Sequence, residues 1–134
     1  MVVEVDRAGK TMAFLYQIRP DGTQAGRWEV GAKPLVVGRG ECADVFVEDD
    51  ALSRSHFLVV SEGADYFLID LNSSNGTWVN DRRVSAHKLE SRDMILAGES
   101  LFCYSETALA GIVMPSWFPA QFLPAAALGS AQSA

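Results

Sequence analysis

The stretch Asp70-Leu71-Asn72-Ser73-Ser74-Asn75-Gly76-Thr77-Trp78-Val79-Asn80 sets a polar cluster between two short apolar runs. Asn-Gly within it is a turn signal, because both residues accept positive φ. Two clusters of the same kind lie upstream, Gly38-Arg39-Gly40 and Ser53-Arg54-Ser55-His56. Clusters like these fall in loops at strand ends, where scaffolds keep their binding chemistry. Together they supply a guanidinium, hydroxyls, amides, and glycines that let backbone approach closely. That inventory suits a doubly charged, oxygen-rich anion such as phosphate.

Outward from these clusters the chain reads as short strands. From Thr11 the pattern has period two, with Met12, Phe14, Tyr16 and Ile18 on one face of a half-buried strand. Pro20-Asp21-Gly22 is a turn: proline presets φ and glycine accepts the positive value. Further strands are expected at 27–30, 35–37, 44–47, 57–60, 66–71, 77–79, 82–84, 93–96 and 101–104. Asn80-Asp81 makes a tight turn, and Ala97-Gly98-Glu99-Ser100 a four-residue hairpin connection. His87 falls in a loop, and Glu48-Asp49-Asp50 reads as a solvated acidic turn. No convincing helix precedes residue 106. Evenly spaced short strands, about ten to eleven of them, predict an all-β antiparallel sandwich.

The 134 residues accommodate one domain at 11–106. A polar lead-in at 1–10, with room for a short strand at Val2-Val3, precedes it. An apolar, Pro/Ala-rich extension at 107–134 follows. Pro115, Pro119 and Pro124 prevent a regular helix there. Trp117, Phe118, Phe122 and Leu123 are large apolar groups in a segment without charge, unlike a solvated tail. Two readings stay open: the extension packs across the sandwich, or it links to something further on.

Composition narrows the function classes. A hydrophobic share of 49% supports a packed core. The net charge of −6 disfavours nucleic acid, which needs an extended basic face, but leaves room for one phosphate on a local arginine. Cys42 and Cys103 read as reduced thiols, with Cys103 in a core strand, and no metal-ligand spacing is present. Glu4 and Asp6 stand where a secretory leader wants basic residues. No apolar run is long enough to cross a bilayer, so a cytoplasmic location without membrane contact is expected. Ser53 and His56 do not make a hydrolase, since there is neither a Gly-x-Ser-x-Gly elbow nor an orienting acid. No enzyme activity, cofactor or metal is expected.

Gly38-Arg39, then Ser53-x-x-His56, then the Asp70–Asn80 stretch resemble, in joint order and spacing, the forkhead-associated (FHA) domain. The resemblance covers roughly residues 12–105. It implies an FHA/SMAD-like β-sandwich that binds phosphothreonine peptides through loops at one end. Carried over by residue, it implies phosphate contacts from Arg39, Ser53, Arg54 and Ser74, and a grip on the peptide backbone from Asn75. Gly38, His56 and Gly76 then brace the loops, Asn72 shapes one of them, and Thr77 is structural. Trp28 and Trp78 are core or sheet-face aromatics. Ala51, two positions before Ser53, offers no charge to an acidic ligand residue, so a small or apolar residue after the phosphothreonine is expected. The implied partner is a phosphothreonine-containing substrate of a Ser/Thr kinase. The alternative is a structural adaptor that joins an assembly through a sheet face or the extension, without phosphate.

Overall fold

The structure, a computed structural model, describes residues 13–107. The expected Val2-Val3 strand, Met12 and the body of the extension lie outside the described residues. Eleven strands follow in order: β1 Ala13–Ile18, β2 Gln24–Val30, β3 Leu35–Gly38, β4 Val45–Phe46, β5 Phe57–Glu62, β6 Asp65–Asp70, β7 Thr77–Val79, β8 Arg82–Val84, β9 Ala86–Lys88, β10 Met94–Ala97 and β11 Ser100–Ser105. They form a six-stranded sheet in the order β2-β1-β11-β10-β7-β8 and a five-stranded sheet in the order β4-β3-β5-β6-β9. Ala13, Leu15, Val37, Phe57, Val59, Leu68, Ile95, Phe102 and Tyr104 fill the space between the sheets. Phe57 meets Phe102 edge-on across that core, with ring centroids 5.7 Å apart.

Several features differ from the reading of the sequence. His87 lies in a strand, β9, whose register against β6 pairs Leu68 with His87. Ala-His-Lys has no β preference of its own, so this strand is made by its neighbour. The pairing is not purely antiparallel either, because β3 and β4 run parallel, Val37 opposite Val45. The face of β1 turned to the core carries Ala13 and Leu15, while Phe14, Tyr16 and Ile18 point to the outside of the sandwich and are still buried. The β10–β11 connection is also tighter than expected. Ala97 pairs with Ser100, which leaves Gly98 (φ 58°) and Glu99 as the turn. The Asn80-Asp81 turn has φ of 48° and 68°, the left-handed pair that a two-residue hairpin requires.

The loops after β3, β4 and β6 and the β10–β11 turn gather at one end. Asp49 ties the loop after β4 to the β10–β11 turn. Its Oδ2 accepts from Glu99 N (2.8 Å) and Ser100 Oγ (2.7 Å), and its Oδ1 accepts from Ala51 N (2.9 Å). Asp49 is therefore a clamp and not a solvated turn residue. The start of β1 and the end of β11, paired at Phe14 and Ser105, lie at the opposite end.

Candidate functional site

The site begins where β3 runs out. Val37 O accepts from His56 N (2.8 Å), Arg39 N donates to Ser53 O (3.1 Å), and Gly40 N donates to Arg54 O (3.1 Å). The segment 53–56 thus continues the ladder beside Gly38-Arg39-Gly40. Gly38 makes this approach feasible: a Cβ there would overlap the Arg54 carbonyl oxygen and stand 2.6 Å from its carbon. Its requirement is space and not backbone twist.

Arg39 is exposed, yet its root is fixed, because Nε donates to Leu52 O at 2.7 Å. Its two terminal nitrogens form no hydrogen bond among the described residues. Among the described residues neither Arg39 nor Arg54 forms an ion pair. An unneutralised guanidinium held by its inner nitrogen is preorganised for an anion. A cavity of about 420 Å³ opens beside it, lined by Arg39, Gly40, Glu41, Cys42, Arg54 and Ser55.

Ser53 links the two walls. Its N–H donates to His56 Nδ1 (2.9 Å), and its Oγ accepts from Ser74 N (3.0 Å). The hydroxyl proton of Ser53 remains available to a ligand oxygen. His56 is fully buried. Because Nδ1 accepts, the ring proton sits on Nε2, which donates to Gly76 O at 2.8 Å. His56 O also accepts from Leu71 N (2.9 Å). One neutral imidazole therefore joins β5, the Ser53 loop and the Ser74-Asn75-Gly76 loop. Both ring nitrogens are thus engaged by backbone groups, Ser53 N and Gly76 O.

The Asn75 loop is braced from within. Asp70 Oδ1 accepts from Ser73 Oγ (2.6 Å) and Thr77 Oγ1 (2.7 Å), and Oδ2 accepts from Ser73 N (3.1 Å). Ser73 Oγ in turn accepts from Gly76 N at 3.0 Å. Asn72 (φ 58°) and Gly76 (φ 87°) supply the left-handed corners. Asn75 reaches across to the other wall, where Nδ2 donates to Ala51 O at 2.9 Å. Its Oδ1 forms no hydrogen bond among the described residues. Arg83 lies against Gly76: a Cβ there would stand 2.7 Å from Arg83 Nε.

Partial burial pushes the Asp70 pKa upward, but the hydrogen bonds from Ser73 and Thr77 outweigh it and hold the carboxyl below the usual carboxylate range. A lowered folded-state value means stabilisation present above the unfolded pKa and lost as pH falls through the folded one. Asp70→Asn should therefore lower stability at pH 7 by roughly 1 kcal/mol, the group being half-exposed. The gap between variant and parent should close on acidification below the carboxylate range. Thermal melts of both at neutral and acid pH check this, and a gap that persists in acid would contradict it.

The structure brings Gly38, Arg39, Ser53, Arg54, His56, Ser74, Asn75 and Gly76 together at one end of the sandwich. The Asp70–Ser73–Thr77 brace was not singled out beforehand. Its signal is present, since Asp followed three residues on by Ser is a common local side-chain-to-backbone motif. The carbonyls of Ala51 and Leu52, which hold Asn75 and Arg39, leave no trace in side-chain identity. Among the described residues no group of His, Cys, Asp and Glu could hold a metal ion.

Residues 35–98 match the sequence profile of the FHA domain. The chain is 38% identical over 65 residues to the FHA domain-containing protein FhaA of Mycobacterium tuberculosis, a match that takes 48% of this chain and 12% of that protein. Among solved structures, one from a structural and functional analysis of phosphothreonine-dependent FHA domain interactions aligns with a TM-score of 0.66 at 29% identity, over 74% of this chain and 100% of that one. Mycobacterium tuberculosis EmbR, in complex with a low-affinity phosphopeptide, aligns with a TM-score of 0.68 at 27% identity, over 79% of this chain and 27% of that one. The chain spans only 12%, 5% and 43% of the lengths of the first curated relatives it matches.

Proposed function

The chain belongs to the FHA domain family, and on that premise we propose that it is a phosphothreonine-peptide recognition module mediating phosphorylation-dependent protein association. The observation that carries this reading is the rim itself: Arg39, fixed by its Nε bond to Leu52 O, stands beside Ser53, whose Oγ already meets Ser74 N. In this reading the terminal nitrogens of Arg39 and the Ser53 hydroxyl hold phosphate oxygens. Arg54 and the Ser74 hydroxyl complete the phosphate shell. Asn75 takes the peptide backbone through its Oδ1 and free N–H, with its other N–H kept on Ala51 O. His56, Gly38 and Gly76 position these groups without touching the ligand. The recognition unit is residues 11–106, and it has no enzyme activity.

The partner is a protein phosphorylated on threonine by a Ser/Thr kinase, with neither nucleic acid nor membrane required. Among the described residues no helix is long and apolar enough to cross a membrane. A cytoplasmic location would bring the rim together with such a partner. Ala51 beside Asn75 favours a small or apolar residue after the phosphothreonine. A few charge-assisted bonds, less the cost of ordering a peptide, give an affinity on the order of micromolar.

Titration of one peptide in three forms tests the proposal. The phosphothreonine form should saturate the chain, and the phosphoserine form should bind about fourfold more weakly for want of one buried methyl, about 0.8 kcal/mol. A bare peptide that binds as well as the phosphorylated one would overturn it.

A further inference from the structure

The outward side of the six-stranded sheet should meet solvent in a two-layer sandwich, yet its middle strip on β1 and β11 is closed, while Arg27 and Glu29 on β2 stay exposed. In register, Ile18 lies beside Leu101 and Leu101 beside Leu96. The next row runs Tyr16, Cys103, Met94, and Phe14 stands beside Ser105. Alternation puts these side chains on the side of the sheet away from the core, whose members on β1, β10 and β11 are Ala13, Leu15, Ile95, Ala97, Phe102 and Tyr104. Phe14, Tyr16, Ile18, Leu101 and Cys103 are nevertheless at most 5% exposed. Neither sheet can enclose the outer side of its own strands. Cover has to come from chain beyond the strands.

We propose that the extension, residues 108–134, lies across this outer face as a built-in third layer, seating Trp117, Phe118, Phe122 and Leu123 on the Tyr16–Cys103 ladder. Three observations favour this occupant. First, β11 delivers the chain there: Ser105 and Thr107 are buried, Ser105 Oγ donates to Thr107 O at 2.7 Å, and Thr107 N donates back to Ser105 Oγ at 3.1 Å. Second, the segment from Ala108 to Ala134 carries no Asp, Glu, Lys or Arg, whereas the first twelve residues include Glu4, Asp6, Arg7 and Lys10. An apolar face takes an uncharged cover at the least desolvation cost. Third, a six-residue strand is roughly 20 Å long, and ten extended residues span roughly 33 Å, so the length suffices without a helix. Arg27 marks one border of the covered area, its guanidinium 4.7 Å from the Phe14 ring centroid while its side chain stays exposed.

Cys103 is a reporter inside the face. Burial raises its thiol pKa to about 12, which keeps it unreactive in the closed state. In the native full chain, iodoacetamide should label exposed Cys42 and spare Cys103. Trp117→Asp/Phe118→Asp/Phe122→Asp in the full chain should raise Cys103 labelling about tenfold or more, by local opening and not global unfolding. Val2→Asp/Val3→Asp should leave it unchanged. Cys103 labelling that stays at the parental rate in the tail variant, that rises equally in the Val2/Val3 variant, or that accelerates on dilution would overturn the proposal. The last two results would assign the cover to the lead-in and to a second copy, respectively. If the tail variant does not fold, chymotrypsin on the unmodified chain decides. Cleavage after Trp117 and Phe122 should be about tenfold slower than in a free 108–134 peptide, and equal rates would refute the layer.

Discussion

Arg39→Ala lowers affinity for a phosphothreonine peptide by roughly 10- to 100-fold, the equivalent of about 1.5–3 kcal/mol for charge-assisted bonds to phosphate. Stability should change little, because the side chain is exposed and its only bond among the described residues is Nε to Leu52 O. Arg39→Lys should recover part of the loss: the charge stays, but the planar fork and the inner nitrogen that anchors it both go. Calorimetric titration with one phosphopeptide, run beside a thermal melt, separates binding from folding. A parental affinity in Arg39→Ala would remove the proposed phosphate site.

Gly38→Ala is the second large effect, and it acts on folding and binding together. The added methyl would overlap the Arg54 carbonyl oxygen and stand 2.8 Å from Ser53 O. The obstacle is backbone, so no side-chain rotation relieves it. Retreat of β3 is blocked as well, since Gly38 O accepts from Val47 N (3.0 Å) and Arg39 N donates to Ser53 O (3.1 Å). Overpacking of this kind costs about 1–3 kcal/mol, which lowers the melting temperature of a domain this size by roughly 10 °C. The displaced segment carries Ser53 with it, so phosphopeptide affinity should fall too. Gly31→Ala is the matched control, because a Cβ there meets nothing within 4 Å. Equal melting points for the two variants would mean that the 38–40 and 53–56 segments are not packed as described.

Much of this arrangement was legible from residue types. Period-two runs located the longer strands, and Asn-Gly, Asn-Asp and Pro-Asp-Gly placed the turns. Arg39, Ser53 and Asn75 stood out through the FHA-like order and spacing of their clusters, and the same resemblance marked His56 as a brace for the loops. What escaped notice has physical causes. β9 is three residues of low strand preference held by β6, so tertiary pairing creates it. Periodicity showed that β1 alternates, but both of its faces are apolar, and hydrophobicity alone could not say that Leu15 rather than Tyr16 turns to the core. Asp49 read as solvent-facing because its partners, Glu99 N and Ser100 Oγ, lie 50 and 51 residues away in sequence.

The two ends of the described domain meet at Phe14 and Ser105, the pole opposite the rim. A unit entered and left at one pole behaves like a cassette. It can be spliced between other modules of a longer polypeptide while the rim at the other pole stays unobstructed.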